Sequence, residues 1–143
     1  GCGTISMENG FYCSADNSIY LDIYFFTRMM KAVGDEFGTD GDMAIITVLA
    51  HEWGHAVQAQ TNNFWKVNML NELGADCFAG AFVGYSQSLG YIENGDAEEA
   101  LMTLYIGGDN LPWYAPQSHG SSQNRIDSFQ RGFSEGIAPC QAG

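Results

Sequence analysis

His51-Glu52-Trp53-Gly54-His55 decides how the rest of the chain is read. On a helix, two histidines four residues apart project from one face about one turn apart, so both imidazoles can reach a single metal ion. Glu52 lies between them in sequence but is offset around the helix. There it can take a proton from a water polarised by the ion without being a ligand itself. These are the parts of a zinc hydrolase, with one catalytic Zn2+ as the expected cofactor.

Working outward, the apolar pattern predicts a helix from about Met43 to Gln60. Ile45, Leu49, Trp53 and Val57 form one stripe of it, while Ala44, Val48 and Ala59 share the side of His51 and His55. A helix apolar on nearly every face is expected to be central and buried, with Trp53 in the core and Gly54 permitting a close backbone approach. Asp40 or Asp42 is the expected cap at its start. Asp40-Gly41-Asp42 also resembles the opening of a calcium loop, but His51 stands where an EF-hand requires a bidentate glutamate.

A hydrolytic zinc ion needs three protein ligands and one open position. The next predicted helix, Met69 to about Ser88, contains Asn71-Glu72-Leu73-Gly74-Ala75-Asp76. Glu72 is the expected third ligand, completing a His2Glu set of the thermolysin, or gluzincin, type. Asp76, one turn on and on the same face, is suited to accept a hydrogen bond from the far nitrogen of a ligating histidine. Two other readings stay open: Asp76 as the ligand with Glu72 outside, and Asp76 as a solvated acid. The longer H-E-x-x-H-x-x-G-x-x-H pattern is excluded by Gln58 and Thr61. Gly74, Ala75, Ala79, Gly80 and Gly84 weaken the helix but let it approach another helix closely, which suits one that must bring a carboxylate to the same metal. His119, the remaining histidine, is the candidate to stabilise the oxyanion formed when water attacks a carbonyl, ahead of Tyr85, Tyr91 and Tyr114.

Elsewhere, Phe11 to Asp22 reads as a hairpin turning at Asp16-Asn17-Ser18. A helix from Tyr24 to Val33 is expected to stop at Gly34, and one from Ala97 to Ile106 starts with Asp96 and Glu99 as caps. Leu111 to Gly120 reads as irregular, followed by a last helix from Ser122 to Arg131 that Gly132 can end. The expected fold is α+β, a mainly helical, compact zincin-like domain with a small hairpin, occupying 1–143 as one unit.

Seventeen acidic residues against five basic ones give a formal charge of −12. That argues against nucleic acid or an anionic membrane as a partner, because both are bound through Lys and Arg. No apolar run approaches the roughly 18 residues of a membrane span. Four cysteines, none in C-x-x-C spacing, read as two disulfides rather than a metal or redox site. Cys2 and Cys13 flank a short N-terminal segment, which favours Cys2–Cys13 and Cys77–Cys140 among the three pairings. Disulfides point to an exported protein of the cell envelope or exterior, and this chain to part of a longer precursor.

With these residues in view, the chain resembles the bacterial Putative neutral zinc metallopeptidase family. The likeness runs nearly end to end, through Cys2-Gly3, Phe11-Tyr12-Cys13, Ile19-Tyr20-Leu21-Asp22, His51-Glu52-Trp53-Gly54-His55 with Val57-Gln58, and Glu72-Leu73. It continues through Ala75-Asp76-Cys77-Phe78-Ala79-Gly80, Gly95-Asp96, His119-Gly120-Ser121, Arg131-Gly132-Phe133 and Cys140. The resemblance implies zinc at His51, His55 and Glu72, Glu52 as catalytic acid/base, both disulfides, a role for His119, and an export or membrane segment upstream. The chain departs from it at Ala56, where the family often carries a further histidine, and in a short stretch after His55. The expected activity is zinc-dependent endoproteolysis of peptide or protein substrates, with an extended substrate pairing along Ile19 to Asp22. The alternatives are a zinc-stabilised binding module without turnover and a metal-dependent amidase for non-protein substrates.

Overall fold

A computed structural model describes residues 2–3 and 10–142. First in order is an antiparallel hairpin, β1 (Gly10–Cys13) and β2 (Ser18–Leu21), paired Phe11 to Tyr20 and Tyr12 to Ile19. Asn17, at φ 55°, supplies the left-handed turn, and Tyr20 and Tyr12 donate their hydroxyls to Asp16 and Asn17. A Cys2–Cys13 disulfide, with Cα atoms 5.8 Å apart, closes the segment before β1.

Five helices follow among the described residues, making the fold α+β and mainly helical. Helix α1 (Ile23–Phe37) is capped by Asp22, which accepts from Tyr24 N–H and Phe25 N–H at 3.0 and 3.2 Å. It does not stop at Gly34. That residue is buried inside the helix, and a Cβ there would lie 2.7 Å from the Thr39 carbonyl oxygen. The glycine gives room for the chain to fold back, and the left-handed residue that ends the helix is Gly38.

Helix α2 (Asp42–Thr61) corrects two further expectations. Its N-cap is Gly41, with no side-chain cap of its own, and Asp40 reaches Asp42 N–H only at 3.5 Å. The first turn is satisfied from a distance, by Glu99 of α4 (Asp96–Ile106), whose two oxygens accept from Gly41 N–H at 3.2 Å and Met43 N–H at 3.0 Å. A fully buried carboxylate placed on orphan N–H groups at a positive helix end is well compensated. Helix α4 itself starts from Gly95, while Asp96 accepts from Glu93 N–H. The acids Asp40, Asp42 and Glu99 converge here, but Glu99 is spent on those N–H groups.

The second correction concerns the stripe of α2. Trp53 and Leu49 are 51% and 43% exposed, so Trp53 is not core. The inward side is instead Ala44, Thr47, Ala50, His51, Gly54 and Gln58. Helix α3 (Asn68–Ser88) packs so closely here that a Cβ on Gly54 would stand 2.9 Å from Ala75 Cα. Only small residues fit that seam, which turns the bulky stripe outward.

The small residues of α3 serve two neighbours, with Gly74 against Gln58 of α2 and Trp65. Gly80 and Gly84 face the backbone of α5 (Ser122–Glu135) at Phe129 and Phe133, and Gly132 of α5 faces the Cys77 carbonyl in return. Gly132 therefore sits inside α5 rather than ending it, and Gly136 terminates the helix. Met43, Ala50, Ala79, Val83, Leu104 and Phe129 form the core where α2 to α5 meet. A Cys77–Cys140 disulfide pins the 3-10 turn Ala138–Cys140 to α3. Gly132→Ala should gain about 1 kcal/mol of helix propensity and lose about 3 kcal/mol or more to the collision with α3. Urea unfolding should show the midpoint falling, and a rise would refute the seam.

Candidate metal centre

Each histidine of α2 is aimed by a partner on its Nδ1. His51 Nδ1 lies 2.7 Å from Asp76 Oδ1, and His55 Nδ1 lies 2.9 Å from Gln58 Oε1. Gln58 is buried and oriented in turn, since its amide donates to the Asn71 carbonyl at 2.8 Å. Both acceptors are oxygens, so both Nδ1 atoms carry hydrogen and both Nε2 atoms present lone pairs. The rings stand almost perpendicular, at 88°, and their Nε2 atoms converge to 3.1 Å. Glu72, from the start of α3, brings Oε2 to 3.2 Å from His51 Nε2 and 3.3 Å from His55 Nε2. Its other oxygen faces Asn68 at 3.5 Å.

Three acceptors at the corners of a triangle with 3.1 to 3.3 Å sides repel one another unless a cation lies between them. The size of that triangle identifies a suitable one. Tetrahedral bonds of about 2.0 Å, the zinc–nitrogen and zinc–oxygen distance, place ligand atoms about 3.3 Å apart. The donor set of two imidazoles and a carboxylate also fits zinc, so the residues present fit the ion. His51, His55 and Glu72 are the group that could hold it, and Asp76 is not a member.

The electrostatics around this group are strongly perturbed. Burial opposes charge on His51, but the charge and hydrogen bond of Asp76, with a hydrogen bond that Nε2 gives to Glu72 when no ion is present, raise its pKa to about 9. Burial likewise opposes ionisation of Glu72, yet its contacts with His51 and His55 hold the carboxyl far below the usual range. Asp76 is also held low against the cost of its burial, chiefly by the Arg125 guanidinium. Glu52 moves the other way. Burial pushes its carboxyl up, offset in part by the two histidines and by the Tyr12 N–H donated to Oε2 at 2.8 Å.

His51, Glu52, His55, Glu72 and Arg125 open on one cleft of about 530 Å3, while Asp76 and Gln58 lie behind it. His119 also lines it, half exposed, with its Nδ1 3.2 Å and its backbone N–H 2.8 Å from Asp109 Oδ2. Tyr85, Tyr91 and Tyr114 are exposed and lie outside the lining. From the hairpin, Gly10, Phe11 and Tyr12 of β1 face the cleft and no residue of β2 does. The strand that lines the cleft is therefore β1, and Ile19 to Asp22 lie outside its lining.

Three contributors escape a reading by motif: Gln58, Asp109 and Arg125. For Arg125 a signal exists. It shares a buried face of α5 with Phe129 and Gly132, and an arginine on an apolar stripe requires an acidic partner.

The family model described as Putative neutral zinc metallopeptidase matches residues 1–142. The chain belongs to that family. It is 40% identical to the uncharacterized protein YpfJ of Escherichia coli K12, over 95% of this chain and 54% of that protein. It is 30% identical to the uncharacterized protein Rv2575 of Mycobacterium tuberculosis H37Rv, over 95% of this chain and 55% of that one. The chain thus spans about half the length of the curated relatives it matches. No solved structure shows a significant match. For this metallopeptidase family member, no helix among the described residues is long and apolar enough to cross a membrane.

Proposed function

We propose that residues 1–143 form one catalytic domain, a gluzincin-type zinc endopeptidase of an exported protein. The observation that carries this reading is the lone-pair triangle of His51, His55 and Glu72, sized for a tetrahedral ion. Zinc bound there supplies Lewis-acid polarisation of a water and of the scissile carbonyl. Glu52, buried beside the ligands and outside the triangle, accepts the proton of the attacking water and delivers it to the leaving amine. The Tyr12 N–H fixes the carboxylate that does so.

In its doubly protonated form, with Nδ1–H held by Asp109, His119 donates from Nε2 to the developing oxyanion. His119→Ala should lower kcat about 100-fold while leaving KM and zinc content close to those of the parent, as read from steady-state kinetics. An unchanged kcat would remove this residue from the mechanism.

The cleft favours internal peptide bonds. Among the described residues that line it, the carboxylates are Glu52 and Glu72 and the guanidinium is Arg125, all engaged within the protein. Apart from His119, which is held by Asp109, no further charged group among those residues is left to select a free terminus. Phe25, Phe26, Met29, Val48 and Leu104 line the remainder, a surface for an apolar side chain. Two disulfides favour an oxidising compartment. The test is zinc analysis with cleavage of a peptide library, run on the chain and on Glu52→Gln in parallel. A chain that binds no zinc, or that cleaves nothing when loaded, overturns the reading.

A further inference from the structure

Arg125 is the one buried Lys or Arg among the described residues. It enters the site from α5 and forks onto Asp76, with Nε 2.8 Å from Oδ2 and Nη2 2.7 Å from Oδ1. Oδ1 is the same oxygen that accepts from His51 Nδ1, and Nη2 lies 3.4 Å from that nitrogen. Nη1 donates to the Gly107 carbonyl at 2.9 Å, which fixes where the guanidinium stands relative to the end of α4. Asp76 is fully buried and, among the described residues, its side chain bonds only His51 and Arg125, so the plane of its carboxylate follows the plane of the arginine.

We propose that Arg125 is a positioning residue for the zinc site, acting through Asp76 to aim the Nε2 lone pair of His51 at the ion. The inference rests on His51 being a ligand. A purely structural ion pair would need only opposite charge and burial. A positioning pair needs the planar fork, because an ammonium carries its three donors on one atom and cannot occupy the separate positions from which Nε, Nη2 and Nη1 meet the two Asp76 oxygens and the Gly107 carbonyl.

Arg125→Lys separates the two. With charge kept and the fork lost, the folded variant should bind zinc about 10- to 100-fold more weakly in competition with a chromophoric chelator. The visible absorption of the cobalt-loaded protein, which reports ligand geometry, should shift as well. Zinc affinity within about twofold of the parent overturns the proposal. Where Arg125→Lys does not fold, Arg125→Gln, whose amide can still donate to Asp76 without forming the fork, takes its place, and the same two outcomes apply to it. His51→Ala is run alongside. Parental zinc binding by that variant refutes the ligand assignment, whereas parental binding by Arg125→Lys alone refutes the positioning role.

Discussion

Glu52→Gln should retain the zinc affinity of the parent and cleave peptides about a thousand times more slowly or less. The substitution is nearly isosteric, and the amide oxygen can still accept the Tyr12 N–H that now reaches Oε2 at 2.8 Å. What disappears is the capacity to take a proton, and general-base assistance is worth about 10²- to 10⁴-fold. The environment of Glu52 is suited to that task, because burial pushes its carboxyl up and makes the ionised form a stronger base than a surface glutamate. Zinc content and turnover are to be measured on the same preparation. Parental turnover would sink the catalytic role and favour a zinc-stabilised binding module, while loss of zinc would make Glu52 a ligand.

Glu72→Ala should cost far more zinc affinity than Asp76→Ala. Structural zinc binding is worth about 10–16 kcal/mol in small domains, or about 2.5–4 kcal/mol for each ligand when shared among four. That is a loss of about 100- to 1000-fold for Glu72. Asp76, which reaches the ion only through His51, should cost about 10- to 100-fold. Chelator competition on the folded fraction ranks the two, because Asp76→Ala also leaves the Arg125 charge buried without its partner and lowers stability. The reverse ranking would make Asp76 the ligand and displace Glu72.

Much of this architecture can be read from periodicity. The metal-binding helix, the Glu72 helix and the hairpin follow from patterns that are local, and so does the convergence of two histidines with a carboxylate. What fails does so for identifiable reasons. Gly34 and Gly132 look like helix stops because glycine commonly ends helices, yet both lie inside helices where a neighbouring backbone leaves no room for a Cβ. The cap of α2 arrives from Glu99, and capping rules look only a few residues ahead. Trp53 and Leu49 form a genuine stripe, but a helix apolar all round does not announce which side turns inward; the contact between Gly54 and Ala75 decides it. Likewise the motif announces His51 and Glu52, while Asp109 matters only because the chain between α4 and α5 loops back to bring His119 beside it.

The three donor atoms of the triangle all come from residues 51–72, on two consecutive helices. His55 is aimed by Gln58 from the same stretch, but the aim of His51 draws on a distant residue: 49 positions separate Arg125 from Asp76 and 74 separate it from His51. A fragment truncated after Ser88 would therefore keep every atom able to touch the ion and lose the guanidinium that orients the carboxylate behind His51. In this chain the inventory for binding a metal is local, and the accuracy with which it is held belongs to the whole.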